Sequence, residues 1–214
     1  MAVSAMNKIL YDIILKLTLL ICKILFRVRR IGMENVPREG GLLIISNHAS
    51  FLDPPLVAVS MPRRIHFLAK EELFHVPILS WLITRLGTHP VRRGGADRKA
   101  IEDARRLLVS GETLLLFPEG TRTIDGNLQE IKHGAIMMAT NIDNLSILPV
   151  YIDGSFHALP KGKKIPRPVK ITVRIGEPFK ISQKGVALPK KTYYESTSVL
   201  FHEKIEQLKI ISGK

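Results

Sequence analysis

Short apolar runs alternate with amphipathic segments along most of the chain. Leu42 to Ser46 is a mostly apolar run that follows a Gly-Gly pair, which predicts a buried strand. Asp97 to Val109 has the spacing of an amphipathic helix, with Asp97 as its N-cap and Gly111 beyond its end. The other predicted elements are the strands Arg64–Ala69, His89–Arg92, Thr113–Phe117, Ser146–Ile152 and Val169–Ile175, and the helices Pro54–Val59, Ile78–Leu86, Gly134–Thr140 and Tyr193–Leu208. This alternation predicts a single α/β domain with a mixed central sheet flanked by helices.

The N-terminal segment has a pattern of its own, from Asn7 to Arg30. On a helical wheel the five charged residues that interrupt its apolar positions fall within an arc of about 100°; they are Lys8, Asp12, Lys16, Lys23 and Arg27. Most of the remaining circumference is apolar, with Ile9, Ile13, Ile14, Leu17, Leu20, Ile21 and Ile24. No uninterrupted apolar stretch reaches the roughly 20 residues that cross a bilayer. The pattern therefore predicts an amphipathic helix with a broad apolar face.

We interpret residues 1–31 as an amphipathic membrane-association segment that precedes a domain of residues 32–214. The segment carries six positive charges and one negative charge, and basic side chains beside an apolar face favour insertion into the surface of an anionic bilayer. A secretory signal fits less well, because Lys16 and Lys23 split the apolar core and no small-x-small site follows. The alternative is an ordinary helix packed on the domain, and both hold if part of the apolar face packs inward.

Composition limits the classes of partner. The chain has 214 residues, of which 45% are hydrophobic, so it can bury a real core. Lys and Arg number 32 against 19 Asp and Glu, and the net charge of +13 predicts nucleic acid, a membrane surface or a phosphorylated substrate as partner. Aromatic residues make up only 6% of the chain, which disfavours a base-stacking platform. Cys22 is the single cysteine, which excludes an intrachain disulfide and a cysteine-rich zinc site.

His48 is the clearest candidate for proton transfer. It follows the predicted strand Leu42–Ser46, and Asp53 lies five residues beyond it. Neither a helix nor a strand brings side chains at that spacing together, so their meeting requires the turn that the polar residues before Pro54 predict. A carboxylate would orient the imidazole and stabilise its charged form. The alternative role for Asp53 is that of a helix N-cap.

A second polar cluster, Pro118 to Thr123, follows another predicted strand. Gly120 permits close approach of the backbone, and the Arg122 guanidinium suits a phosphate. The Glu119 carboxylate suits hydrogen bonds from hydroxyl groups. The alternative is a polar turn with an Arg-Glu pair. Gly87 to Gly94 is a third, glycine-framed basic segment, for which a solvated turn is the alternative.

Together these segments resemble the glycerolipid acyltransferases. His48 to Asp53 is similar to their H-x4-D motif, and Phe117 to Thr123 is similar to their F-P-E-G-T-R-S/T block. Gly87 to Arg93 resembles the family's intermediate glycine-to-arginine block, and Ile147 to Val150 resembles its late proline-containing strand. The four blocks occur in family order over about residues 45–152. Within the family, the compact chain looks most like the bacterial 1-acyl-sn-glycerol-3-phosphate acyltransferases.

The resemblance implies a reaction and a set of roles. An acyl group would pass from acyl-CoA or acyl carrier protein to the free hydroxyl of 1-acyl-sn-glycerol-3-phosphate, giving phosphatidic acid in phospholipid biosynthesis. His48 would act as the base, and Asp53 would orient it. The residues implied to bind the acceptor are Arg93, Glu119, Gly120, Arg122 and, as a weaker phosphate contact, Lys70. No cofactor and no metal site are expected, because the other histidines are scattered without paired ligand spacing.

The expected partners are lysophosphatidate, the acyl thioester and an anionic membrane surface, without nucleic acid. The expected location is the cell membrane, peripheral or monotopic on the cytoplasmic face. One alternative is an acyltransferase for another lysophospholipid. A more distant alternative is a non-catalytic protein that binds anionic lipids through its N-terminal helix, which leaves the four motifs without a role.

Overall fold

The computed structural model describes residues 8–92, 97–181 and 189–210. The strands, from β1 to β7, are Arg29–Ile31, Leu42–Ser46, His66–Lys70, Thr88–Val91, Thr113–Leu116, Ser146–Asp153 and Thr172–Ile175. The helices, from α1 to α7, are Lys8–Phe26, Asp53–Ala58, Pro77–Arg85, Arg98–Val109, His133–Ala139, Ser155–Ala158 and Lys190–Ile210. Short 3-10 helices lie at Met33–Asn35 and Glu71–His75. Within the described ranges the strands form one seven-stranded sheet, in the order β1-β7-β6-β2-β5-β3-β4.

The sheet is mixed, as the sequence predicts. β2 lies between β5 and β6 and is parallel to both, and β3 and β4 continue the parallel part beyond β5. β7 is antiparallel to β6, and β1 is parallel to β7. All five residues of β2 are buried, because a central parallel strand is covered on both of its faces.

Helices cover both faces of the sheet. α4, α5 and α7 pack on the face to which Leu43 and Ile45 contribute. α1 and α2 pack on the other face, to which Leu42 and Ile44 contribute. We call these the α4–α5 face and the α1–α2 face. Successive side chains of a strand point to opposite faces, so β2 contributes to both apolar layers.

The direction of the chain connections places α3 on the α1–α2 face. α2 connects β2 to β3, and α3 connects β3 to β4, so both connections move in the same direction across the sheet. Connections between parallel strands are right-handed, so two successive connections in one direction place their helices on the same face. α4 and α5 connect strands in the reverse direction and lie on the opposite face, in agreement with this rule.

α1 packs inward along one stripe and leaves another stripe exposed. Tyr11, Cys22 and Phe26 form the buried stripe. On the other side, a row of large apolar residues is at least 44% exposed, namely Ile9, Ile13, Leu17, Leu20, Ile21, Ile24 and Leu25. Part of the helix therefore packs on the domain, while most of its predicted apolar face has no cover.

Two contacts tie the start of α1 to the segment that precedes β3. The Tyr11 hydroxyl accepts a hydrogen bond from the Ile65 N–H at 3.0 Å. The Arg64 guanidinium donates to the Asp12 carboxylate, with its shorter N–O distance at 2.6 Å. The helix is thereby fixed to the sheet at its beginning as well as by its buried stripe.

The helix predicted from Asn7 to Arg30 is shorter, and its last predicted residues belong to the sheet. It ends at Phe26, and Arg27 takes a φ of 45°, a left-handed conformation typical of a helix end. The prediction that Arg29 and Arg30 belong to this helix was wrong, because they pair with β7 as part of β1. Residues 1–7 lie outside the described part of the chain.

Most other predicted elements are confirmed to within one or two residues. The bounds of β2 are those predicted, and Asp97 caps α4 by accepting a hydrogen bond from the Ala100 N–H at 3.1 Å. β7 begins at Thr172 rather than Val169, and α7 begins three residues earlier than predicted, at Lys190. The short helix α6 was not predicted.

Candidate active site

The segments singled out after β2 and β5 lie at the same edge of the sheet, which is the edge formed by the carboxyl ends of its parallel strands. β2 and β5 are adjacent and parallel, with Ile45 opposite Leu116, so the loops that follow them leave at the same end. The chain then turns to opposite faces, because α2 packs on one face and α5 on the other. Loops that diverge in this way leave a crevice at the carboxyl ends of the strands, where open α/β sheets bind their ligands.

The side chains of His48 and Asp53 meet in this crevice. His48 Nδ1 lies 2.9 Å from Asp53 Oδ2, and the aspartate is fully buried. The same oxygen accepts the backbone N–H groups of Ala49 and Ser50, at 2.6 and 2.7 Å. The turn expected from the sequence therefore exists, and Asp53 itself holds it closed. The N-cap of α2 is Leu52, with no side-chain cap, so Asp53 does not serve as the N-cap.

The contact with Asp53 determines which nitrogen of His48 is basic. An ionised carboxylate only accepts hydrogen bonds, so Nδ1 carries the proton in this contact. In the neutral ring, Nε2 then has the lone pair and can receive a proton. The His48 side chain is 14% exposed, which leaves limited access for a substrate.

Phe117 fixes the plane of the catalytic candidate. Its ring stacks on the His48 ring with centroids 3.9 Å apart and planes inclined by 16°. Phe117 is the first residue after β5, so the strand that is parallel to β2 supplies the stacking partner. From the sequence, Phe117 was noted only as the first residue of the family block Phe117 to Thr123, and its stacking on His48 was not predicted.

The loop after β5 also holds the backbone of His48 on both sides. The His48 N–H donates to Glu119 Oε1 at 2.6 Å, and the Thr123 N–H donates to the His48 carbonyl at 2.8 Å. The second carboxylate oxygen of Glu119 accepts the Gln129 N–H at 2.9 Å. Glu119 thus joins the segment that bears His48 to the chain that leads into α5.

The environment of Glu119 differs from that expected of an acceptor ligand. The residue is 2% exposed, and each of its carboxylate oxygens accepts a backbone N–H. Burial raises its pKa from 4.5 to about 7, although the two backbone hydrogen bonds act in the opposite direction. Glu119 thus supports the His48 backbone through these contacts, and its role at the acyl acceptor, which the resemblance implies, stays a prediction.

Gly120 and Arg122 lie in the same loop. Gly120 has a φ of 71°, which L-residues with a side chain rarely adopt, and its N–H donates to the Phe117 carbonyl at 3.0 Å. The Arg122 guanidinium carbon lies 3.5 Å from the centre of the Phe51 ring. Because Phe51 belongs to the turn between His48 and Asp53, this contact brings the arginine to the same turn.

The remaining predicted site residues are Lys70 and Arg93. Lys70 is the last residue of β3, at the same edge of the sheet, where its ammonium group lies 3.8 Å from the Glu72 carboxylate. Arg93 lies outside the described residues. Its neighbour Arg92 follows β4 at this edge and pairs with Glu71 at 2.9 Å.

Asn47 is a further structural determinant that the sequence did not reveal. Its buried side chain donates to the Ile152 carbonyl at 3.0 Å and accepts the Ile152 N–H at 2.7 Å. This pair of bonds fastens the end of β2 to β6, one residue before His48. The available sequence signal was an asparagine directly after the predicted strand and directly before the histidine, but its partner lies 105 residues away.

Groups outside the crevice offer less chemistry. Within the described ranges, no cluster of three or more His, Cys, Asp and Glu side chains could hold a metal ion. His66 and His89 were expected to be scattered, but His66 Nδ1 lies 3.1 Å from His89 Nε2. Burial lowers the pKa of both imidazoles. His66 is the first residue of β3 and His89 is the second residue of β4, so both lie at the amino ends of these strands, where a cavity of about 830 Å³ also opens. Burial raises the pKa of the Cys22 thiol, which disfavours a nucleophilic role.

The family model described as Acyltransferase matches residues 27–153. This range includes the His48–Asp53 pair and the whole loop that supports it. The chain belongs to the Acyltransferase family. The resemblance noted in the sequence is thereby confirmed.

Several members with assigned names are similar to this chain. A 1-acyl-sn-glycerol-3-phosphate acyltransferase of Bacillus subtilis is 28% identical over 183 residues, which cover 85% of this chain and 87% of that protein. A lyso-ornithine lipid O-acyltransferase of Pseudomonas aeruginosa is 35% identical over 128 residues, with coverage of 59% and 47%. The crystal structure of the 1-acyl-sn-glycerophosphate acyltransferase PlsC from Thermotoga maritima matches with a TM-score of 0.75 and 30% identity, over 93% of this chain and 79% of that one. The chain spans only 39 to 45% of the length of the plant and algal relatives that it matches.

Replacement of Glu119 by Gln should change how stability depends on pH. The folded chain keeps the Glu119 proton up to about pH 7, whereas an ordinary glutamate releases it near 4.5. Between these values the folded state binds more protons than the unfolded state, so this group makes the free energy of unfolding fall as the pH rises. Urea unfolding at several pH values across this window should show that decrease in the parent chain and a smaller one in Glu119→Gln.

Asp97→Asn is the matched control for this measurement. Hydrogen bonds from the Arg92 and Ala100 N–H groups lower the pKa of the Asp97 carboxyl below its usual value of 3.8, so it stays ionised throughout the window and its loss should leave the slope unchanged. Equal slopes for the parent chain and Glu119→Gln would contradict the raised pKa.

Proposed function

We propose that the chain is a 1-acyl-sn-glycerol-3-phosphate acyltransferase that converts lysophosphatidate to phosphatidic acid. The observation that carries the proposal is the His48–Asp53 contact of 2.9 Å in the crevice at the carboxyl ends of β2 and β5. The names of the Bacillus relative and the Thermotoga neighbour support this choice of acceptor. An acyl thioester, either acyl-CoA or acyl carrier protein, is the proposed donor, and the chemistry needs no cofactor.

His48 is the proposed general base. Its Nε2 removes the proton of the acceptor hydroxyl while the hydroxyl oxygen attacks the carbonyl carbon of the thioester. The ester C–O bond forms, the C–S bond breaks, and the departing thiolate takes up the proton from His48. Asp53 stabilises the imidazolium between these two transfers. A thiol with a pKa of about 8.5 is a good leaving group, so the reaction requires no acyl-enzyme.

Arg122 is the proposed ligand of the acceptor phosphate. Its guanidinium lies over Phe51, in the turn that carries His48, and a guanidinium binds phosphate with two parallel hydrogen bonds. Lys70 and Arg93 are proposed as additional phosphate contacts, and Gly120 as the point where the backbone approaches the acceptor. A phosphate held there would orient the free hydroxyl toward His48, which promotes the reaction through proximity.

We also propose that the segment of residues 1–31 attaches the chain to an anionic membrane surface through α1, in a peripheral or monotopic manner on the cytoplasmic face of the cell membrane, while its last three residues form β1 of the sheet. The exposed apolar stripe of α1 and its basic residues support this proposal. Among the helices of the described residues, none is both long and apolar enough to cross a bilayer.

A second candidate acceptor is a lysolipid without the glycerol phosphate group. The name of the Pseudomonas relative, a lyso-ornithine lipid O-acyltransferase, favours this class. Lysophosphatidate and lyso-ornithine lipid offered together to the purified protein, with products identified by mass spectrometry, would distinguish the two. Dominant acylation of the ornithine lipid would overturn our choice of acceptor.

His48→Ala should abolish phosphatidic acid formation, because no base then accepts the hydroxyl proton. Asp53→Asn should lower kcat by about 10²- to 10⁴-fold, since an amide does not stabilise the imidazolium. The assay uses detergent-solubilised protein, lysophosphatidate and an acyl thioester, with mass spectrometry of the lipid products. The exposed His157 provides the control, and His157→Ala should keep full turnover. Full turnover by His48→Ala would contradict the proposed base.

Arg122→Ala should raise the KM for lysophosphatidate by about 10- to 100-fold, the range expected for loss of hydrogen bonds to a charged group. The KM for the acyl thioester should change little. Arg92→Ala is the control, because Arg92 lies at the same edge of the sheet but pairs with Glu71. An unchanged acceptor KM in Arg122→Ala would exclude this residue as the phosphate ligand.

The pair of substitutions Leu17→Gln and Ile24→Gln should weaken the partition of the protein onto anionic vesicles by about tenfold or more. Both side chains are more than half exposed, so the fold should not depend on them. Flotation with vesicles in a density gradient measures the bound fraction. Val199→Gln, an exposed position on α7, is the control. Equal flotation of parent and variant would remove α1 from the membrane contact.

A further inference from the structure

A second exposed apolar surface lies between β3 and the end of α3. It consists of Leu73, Val76, Ile78 and Trp81, which are 36%, 52%, 84% and 53% exposed. We call these four residues the α3 surface. Neither α3 nor the 3-10 helix before it contains a buried residue. Large apolar side chains grouped in this way mark an interaction site more often than single exposed ones.

The outer side of α3 combines apolar and cationic groups. Ile78, Trp81 and Arg85 are spaced by three and four residues, which aligns them along one side of the helix. The Arg85 guanidinium carbon lies 4.8 Å from the centre of the Trp81 ring. Tryptophan beside a long basic side chain suits the boundary between acyl chains and headgroups, because both have an apolar body and a polar end.

The charges around the α3 surface are compatible with an anionic bilayer. α3 contains no acidic residue, and its only charged residue is Arg85. The two glutamates of the preceding 3-10 helix are neutralised by neighbours, Glu71 by Arg92 at 2.9 Å and Glu72 by Lys70 at 3.8 Å. No unneutralised carboxylate of this segment therefore opposes the approach of anionic headgroups.

The position of the α3 surface relates it to both α1 and the active site. The right-handed connections place α3 on the α1–α2 face of the sheet, which also bears the exposed stripe of α1. The 3-10 helix begins directly after Lys70 at the carboxyl end of β3. This is the edge of the sheet at which His48 and Arg122 lie. The α3 surface therefore shares its face with one proposed membrane contact and its edge with the proposed acceptor site.

We propose that the α3 surface inserts into the headgroup region of a phospholipid bilayer and is a second membrane contact beside α1. This inference rests on the proposed lipid substrate and membrane attachment. One helix alone leaves the domain free to rotate about the helix axis. A second contact removes that freedom and keeps the carboxyl edge of the sheet beside the lipid layer that supplies the acceptor.

Trp81 makes the proposal directly measurable, because it is the only tryptophan in the sequence. The parent protein is mixed with vesicles of phosphatidylcholine and phosphatidylglycerol, and its tryptophan emission is recorded together with flotation. We expect a blue shift on binding and quenching by lipids brominated on their acyl chains. Protein that floats with the vesicles while Trp81 keeps the emission that it has in buffer would overturn the proposal.

Ile78→Ser, which keeps the fluorescent residue, tests the contact energetically. It should reduce vesicle partition by about tenfold, as expected when one large apolar side chain is no longer inserted. Its turnover in detergent should equal that of the parent chain. Val109→Ser is the matched control, because Val109 is 69% exposed on α4, on the opposite face. Equal losses of partition in both variants would contradict a specific α3 contact.

Other outcomes separate this inference from its premises. A blue shift that depends on protein concentration without vesicles, together with a doubled mass by light scattering, would assign the surface to a second copy of the chain and overturn the proposal. Turnover in detergent without any flotation would retain the proposed reaction but overturn both membrane contacts. Flotation with a shifted Trp81 emission but without turnover would support the α3 contact and overturn the proposed reaction.

Discussion

The carboxylate of Glu119 joins two loops that leave the sheet for opposite faces. It accepts one backbone N–H from His48 and one from Gln129, and a buried carboxylate needs such donors because its desolvation is otherwise costly. The position of the His48 backbone therefore depends on a loop 71 residues away. Together with the Thr123 N–H bond to the His48 carbonyl, this junction fixes the main chain on which Asp53 and Phe117 orient the ring. The backbone position of the proposed base therefore depends in part on Glu119.

Local patterns predicted the parts of the fold whose causes are local. β2 is a mostly apolar run after two glycines, and α4 has its own cap, so both were predicted with nearly the observed bounds. β1 has only one apolar residue in Arg29–Ile31 and forms because β7 offers a partner, which no local pattern reveals. The His48–Asp53 meeting was predictable because the turn is encoded between them. The roles of Glu119, Phe117 and Asn47 were not, since their partners lie on other strands or loops.

The α1–α2 face shows how folding and function divide one set of apolar residues. Tyr11, Cys22 and Phe26 of α1 are buried in the domain, whereas an equally apolar stripe on the same helix contributes nothing to the core. The exposure of α3 is greater than that of α1, because no residue of α3 is buried. Exposed apolar area of this extent opposes solubility, so its presence on one face indicates a role that the isolated fold does not require.

The contacts at the start of α1 have a mechanical consequence. Because Tyr11 binds the Ile65 backbone and Asp12 binds Arg64, the helix is a rigid strut of the domain and not a tether. With both the strut and the α3 surface embedded in a lipid surface, the proposed base His48 would stand at a fixed height above the acyl chains. Lipid acceptors of any chain length would then present their hydroxyl at one level. A donor arriving from water would have to deliver its thioester to that same level.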